Sequence, residues 1–197
     1  MQEQKLLREF KIFEGFDIKK SPSSDGILRM SGILQVADKL NANNRIYPKP
    51  ILVREDQRYQ PLIKERRALG CLDHPDNAIV ELKNVSHLIT KTWWNNGELL
   101  GEIEILDTPL GDILAKLVNR NIKVGVSSRG LGSTQPNSNG AEVVCEDFSL
   151  IAIDVVSNPS TSGAFMHLRE HKEFKGMFEK NKWVALDDLL NQILQLE

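Results

Sequence analysis

Four histidines, two cysteines and a pair of adjacent serines carry most of the chemistry this chain could perform. His74 stands in Gly70-Cys71-Leu72-Asp73-His74-Pro75-Asp76, a turn-like segment whose backbone Pro75 restricts. A histidine on a rigid loop is a candidate general base, because its ordinary pKa is close to neutral. The plainer reading is a loop histidine bonded to backbone. Ser127 and Ser128 lie in Val124-Gly125-Val126-Ser127-Ser128-Arg129-Gly130, where glycine on both sides allows close approach of another chain. A serine hydroxyl is a poor nucleophile until a base takes its proton. Arg129 and the amides around Gly130 could supply positive potential for an oxyanion; a structural turn would use the same residues. Asp154 sits in the apolar run Leu150-Ile151-Ala152-Ile153-Asp154-Val155-Val156. Burying a carboxylate is costly without a partner, so Asp154 either orients a histidine or lies on the wet face of an alternating strand.

The other candidates are weaker. His87 alternates with apolar neighbours in Asn84-Val85-Ser86-His87-Leu88-Ile89 and reads as a half-buried strand residue, with a rival claim to orient His74. His167 and His171 are four apart in a charged segment and read as a solvated helix face, because no third metal ligand is evident. Cys71 and His74 have the spacing of half a zinc site, but the second pair is missing. No metal and no cofactor is indicated.

Composition bounds the rest. The chain has 197 residues, 25 Lys+Arg against 27 Asp+Glu, a formal charge of −2, and is 41% hydrophobic and 26% charged. Such a balance suits a globular domain with its own core. It argues against a general nucleic-acid binder and a polybasic membrane anchor. No apolar run has the length of a membrane-crossing helix, and the charged start of the chain has no signal-peptide stretch. Two distant cysteines suit a reducing compartment, and the expectation is a cytoplasmic protein.

The elements that must position these residues are mostly strands. Residues 1–26 are charged and then Ser/Pro-rich, an expected flexible arm. Residues 27–36 read as a strand with a glycine break, and 51–69 as a surface helix interrupted at Pro61. Residues 79–94 and 98–106 are β-rich runs flanking Asn95-Asn96-Gly97, a hairpin signal because both turn residues tolerate positive φ. Thr108-Pro109 opens a helix with Leu110, Ile113, Leu114, Leu117 and Val118 on one face. Residues 122–130 form a short strand, and 141–160 a strand pair or bent strand. The last segment, 185–197, has the apolar face of a short helix. The domain is expected at 27–166, with a charged tail over 167–197. This pattern predicts a mainly antiparallel α+β domain or a closed barrel.

Taken in order, NANNRIYPKPIL, ALGCLDHPD, VSHLI, WWNNGELLGEIEILDTPLGDIL, VGVSSRGLG and IDVVSNPSTSGAFM resemble the prohead core proteases of large contractile-tailed bacteriophages. The resemblance runs from Ile33 to Met166. It implies a serine endopeptidase made as a zymogen, which cleaves itself and, inside the prohead in the bacterial host cytoplasm, cuts scaffold, internal proteins and the major capsid protein. It also implies a β-barrel ringed by helices like that of herpesvirus assembly proteases, and a homo-oligomer. By resemblance His74 is the catalytic histidine, Ser127 the nucleophile with Ser128 as rival, Asp154 the orienting acid with His87 as rival, and Arg129 and Gly130 the oxyanion site. Family members often have Gly-Glu-Leu where this chain has Gly70-Cys71-Leu72. The family cuts after Leu or Ile, any residue, then Glu, so cuts after Glu9, Glu14 and Glu170 would remove an arm and a tail; Ile63-Lys64-Glu65 and Leu100-Gly101-Glu102 also match inside the domain.

Two other readings compete. A catalytically silent scaffold or core protein on the same fold would have no need of both His74 and Ser127. A general serine esterase would carry Gly-x-Ser-x-Gly, and Arg129 stands where the second glycine is required.

Overall fold

A computed structural model describes residues 4–8, 26–157 and 166–168. In chain order the elements are β1 (Lys5–Arg8), β2 (Arg29–Val36), β3 (Arg45–Ile46), α1 (Lys49–Lys64), β4 (Leu69–Cys71), β5 (Val85–Asn95), β6 (Glu98–Ile105), α2 (Pro109–Asn119), β7 (Gly125–Gly132), β8 (Thr134–Pro136), β9 (Glu142–Val144), β10 (Ser149–Val156) and β11 (Met166–Leu168). The strands form three sheets, ordered β1-β7-β10, β11-β2-β6-β5-β4 and β3-β9-β8. Every strand pair is antiparallel except β3 with β9.

The mixed, mainly antiparallel architecture agrees with the sequence. The barrel does not: among the described residues no sheet closes on itself. The first two sheets meet instead at one parallel bridge, Leu72 with Val155, reinforced by the Asp73 amide donating to the Val155 carbonyl at 2.8 Å. This junction brings the loop after β4 onto the end of β10.

The β5–β6 hairpin turns at Asn96 and Gly97, whose φ values of 46° and 83° are the left-handed pair that a two-residue turn needs. In α2 the Thr108 hydroxyl caps the helix by accepting from the Gly111 amide at 3.0 Å. Leu114 and Val118 enter the core with Leu34, Ile89, Ile103, Val126, Ile153 and Val155, whereas Ile113 of the expected face is exposed.

Three expectations change. Helix α1 runs through Pro61 without interruption: the ring costs the helix one amide donor, that toward the Gln57 carbonyl, and only three helical residues follow it. The helix buries Ile51, Leu52, Glu55 and Tyr59 on one face and leaves Gln57, Arg58, Gln60 and Lys64 exposed, so it lies on the surface as expected. Residues 5–8, placed in the arm, form a strand along β7, with Leu7 only 3% exposed among Tyr47, Ile51, Leu52 and Phe148. His167 lies in β11, opposite Ser31, and not on a helix. His171 and the 185–197 segment lie outside the described residues.

Candidate active site

Strand β10 carries the acid that organises the site. Its register along β7 slips by one at Ile151, between Leu150 opposite Gly130 and Ala152 opposite Arg129. The bulge is held by Glu55 of α1, which accepts from the Leu150 amide at 2.8 Å. Beyond it Asp154 stands opposite Ser127. Side chains on directly paired residues share a face, and successive residues alternate. Ser127, Arg129 and Asp154 therefore share one face, and Ser128 takes the other with Ile153. There the Ser128 hydroxyl accepts from Gln35 Nε2 at 2.6 Å. The register thus separates the two serines that the sequence left as rivals.

Asp154 is fully buried and saturated with donors. His74 Nδ1 lies 2.7 Å from Oδ2, Arg129 Nε donates to the same oxygen at 2.7 Å, and the Cys71 amide donates to Oδ1 at 2.9 Å. Arg129 Nη2 adds a longer contact to Oδ1 at 3.4 Å. Burial pushes this carboxyl upward, but the hydrogen bonds from His74, Arg129 and Cys71, with the guanidinium charge, outweigh it and hold the group below its ordinary range. Asp154 is ionised at neutral pH. An ionised carboxylate only accepts, so the His74 Nδ1 that faces it carries a proton.

The loop after β4 delivers His74. Asp73 adopts φ 61°, a left-handed conformation that turns the chain back over β10 directly after the Leu72–Val155 bridge. The His74 side chain has no solvent exposure.

Arg129, expected at the oxyanion, has its side chain engaged by Asp154. Its guanidinium is fully buried, faces Asp154 through Nε and Nη2, and donates through Nη1 to the Asn77 carbonyl at 2.9 Å. Its place in the site is the charge balance of Asp154. Gly130, the other expected oxyanion residue, lies inside the β1–β7–β10 ladder, about 10 Å along β7 from Ser127 at the usual rise of a strand. A Cβ there would stand 2.5 Å from the Phe148 ring, so this glycine serves packing.

His87 is fully buried, and both ring nitrogens are engaged away from His74. Nε2 donates to the Ile153 carbonyl at 3.0 Å, and Nδ1 lies 2.9 Å from the Ser86 hydroxyl. Burial lowers its pKa to about 4, so the ring is neutral. It supports β10 from the far side of Asp154 and does not orient His74. The sequence missed the Cys71 amide, the Asn77 carbonyl and Gln35. Backbone donors leave no trace in residue type, and Gln35 is distant from Ser128 in sequence.

Among the described residues no group of three or more His, Cys, Asp or Glu side chains could hold a metal ion, and no helix is long and apolar enough to cross a membrane. Glu9, Glu14 and Glu170 lie outside the described residues. Of the internal matches, Glu65 caps the end of α1 and Glu102 is buried in β6.

A serine, a carboxylate-held histidine and an antiparallel scaffold together have the composition of a nucleophilic hydrolase site. The chain belongs to the prohead core protein serine protease family, whose family model matches residues 6–175. It is 33% identical over 164 residues to the prohead core protein protease of Enterobacteria phage T4, covering 81% of this chain and 76% of that protein. The solved structure of the bacteriophage T4 capsid assembly protease superimposes with a TM-score of 0.71 at 31% identity, covering 79% of this chain and 99% of that one.

Proposed function

We propose that this chain is a capsid-maturation endopeptidase of serine type. The carrying observation is the buried His74–Asp154 pair, 2.7 Å apart, on the face of β7 that also bears Ser127. Asp154 fixes the Nδ1–H form of His74 and aims the Nε2 lone pair away from itself. His74 takes the Ser127 proton as Oγ attacks the scissile carbonyl, then returns it to the leaving amine; water repeats the sequence on the acyl-enzyme. Arg129 keeps Asp154 ionised in a dry site. Oxyanion donors in this reading are backbone amides, because the Arg129 head is committed to Asp154.

The substrates we assign are scaffold, internal and major capsid proteins, cut after Leu or Ile, any residue, then Glu inside the prohead of a bacterial host. Self-cleavage after Glu9, Glu14 and Glu170 belongs to the same reading, as do homo-oligomeric assembly and kinship with herpesvirus assembly proteases. Family membership supports the protease class, and the register supports Ser127 over Ser128.

The test is expression of the wild type beside Ser127→Ala, Ser128→Ala and His74→Ala, followed by intact mass. The expected result is self-trimming at Leu/Ile-x-Glu sites in the wild type and Ser128→Ala, and none in the other two. Trimming that survives Ser127→Ala sinks the nucleophile assignment. A wild type that leaves both itself and a motif-bearing scaffold peptide intact favours the silent scaffold reading.

A further inference from the structure

Strand β1 lies in a slot beside the proposed nucleophile. One side of the slot is β7, with Lys5 opposite Gly132 and Arg8 opposite Arg129. The other side is the turn before β3 and β3 itself, where Asn43 Nδ2 and Arg45 Nη1 both donate to the Arg8 carbonyl at 3.0 Å. Leu7 fills an apolar pocket of Tyr47, Ile51, Leu52 and Phe148. Arg8 faces the site side and pairs with Asp76 at 2.7 Å, next to the Asn77 whose carbonyl holds Arg129. Four residues remote in sequence are thus gripped by main-chain pairing, a side-chain pocket and two carbonyl donors, the elements by which a sheet edge recognises an extended peptide.

We infer that this slot is the substrate-binding edge, and that β1 occupies it as an internal competitor. The inference rests on the assignment of Ser127 as nucleophile. A peptide in the register of β1 meets Ser127 with the second residue after its Arg8 position. The bond preceding that residue, the one beside Ser127, therefore belongs to an acyl residue two places after the one in the Leu7 pocket. That spacing is Leu-x-Glu followed by the cut. Asn43 and Arg45 grip the carbonyl just before the acyl residue, and the Arg45 guanidinium supplies the sign of charge that suits a glutamate there. The acyl residue itself falls opposite Ser128, on the polar spot made by Ser128 and Gln35. Leu7 is thus a stand-in for the apolar residue of the substrate, and the pocket around it selects Leu or Ile.

The test uses the full chain carrying Ser127→Ala and a fluorescein-labelled peptide, Gln-Lys-Leu-Leu-Arg-Glu-Phe-Lys, copied from residues 4–11. A site blocked from within shows an affinity reduced by the fraction of molecules in which it is open. Adding Leu7→Asp to the chain, which expels β1 and leaves the pocket intact, is expected to tighten peptide binding at least about tenfold. Leu7→Ala is expected to act in the same direction and covers a failure of Leu7→Asp to fold. The peptide carrying Asp in place of the leucine that matches Leu7 is expected not to bind. Bound peptide is expected to raise hydrogen exchange at residues 5–8. Affinity unchanged by both chain variants, or residues 5–8 still protected in the complex, overturns the inference. Displacement of β1 without cleavage of the peptide by the wild type keeps the slot and sinks the protease reading; cleavage after its Glu without displacement does the reverse.

Discussion

Replacing Arg129 by Gln tests whether this side chain serves Asp154 or a reaction intermediate. Both partners are fully buried, joined at 2.7 Å with a second contact at 3.4 Å. Removing one member of such a pair leaves an uncompensated buried charge, at a cost of about 3–5 kcal/mol. That is a large share of the roughly 5–15 kcal/mol that holds a domain folded. With a urea slope of about 2 kcal/mol/M, the midpoint should fall by about 2 M. The pH dependence has a definite sign. A carboxyl held low in the fold stabilises it above the carboxyl's unfolded value, and that contribution is lost as pH falls through the folded value. Without Arg129, burial is opposed only by His74 and the Cys71 amide, so the folded value rises, and the deficit of the variant is largest at pH 7.5 and shrinks toward acid as Asp154 takes a proton. Urea melts at pH 7.5 and pH 5, in a Ser127→Ala background that under the proposed function cannot cut itself, read both effects. Arg129→Lys, which keeps the charge but not the fork, should recover part of the midpoint. If Arg129→Gln moves the midpoint by less than about 0.3 M at both pH values, Arg129 is not the counter-charge of Asp154.

Two further outcomes follow from the packing around β10. Gly70→Ala should destabilise by about 1–3 kcal/mol through overpacking, because a Cβ there meets His87 Nε2 at 2.2 Å and the Ile153 carbonyl at 2.3 Å; an unchanged melting temperature would refute the close approach. His87, lowered from 6.5 to about 4 by burial, binds a proton more readily unfolded, so stability present above pH 6.5 is lost toward pH 4. The size is about 3 kcal/mol at most, and His87→Gln should flatten that part of the stability-versus-pH curve; an unaltered slope would mean that the ring is not held neutral.

Local signals were legible in the sequence, and pairings across strands were not. The Asn96-Gly97 turn and the Thr108-capped helix depend on neighbours in the chain, so residue type alone reveals them. Asp154 stood out because a carboxylate among Ile and Val demands partners. The identity of those partners was hidden. Arg129 looked like an anion binder because its counter-charge comes from another strand, and its rung is set by a bulge that leaves no mark in composition. Four residues of a charged arm do not advertise an edge strand, since much of what holds Lys5–Arg8 is backbone pairing with β7. Barrel closure was inferred from strand content, which fixes the number of strands and not whether the last one finds the first.

The bulge at Ile151 makes the site depend on counting along the chain. With the pairing of Leu150 and Gly130 carried on unbroken, Asp154 would fall opposite Val126 and its carboxylate would turn toward the core. A change of side chain at position 151 leaves that count intact. Loss of Ile151 itself would only smooth the bulge and leave Asp154 opposite Ser127, whereas gain or loss of one residue between Ala152 and Asp154 removes the acid from both His74 and Arg129. Lineages of this protein are therefore free to vary in spelling along β10 and bound in length beyond the bulge, and a chain that keeps its histidine, serine and aspartate but not the spacing can be a fossil of the enzyme.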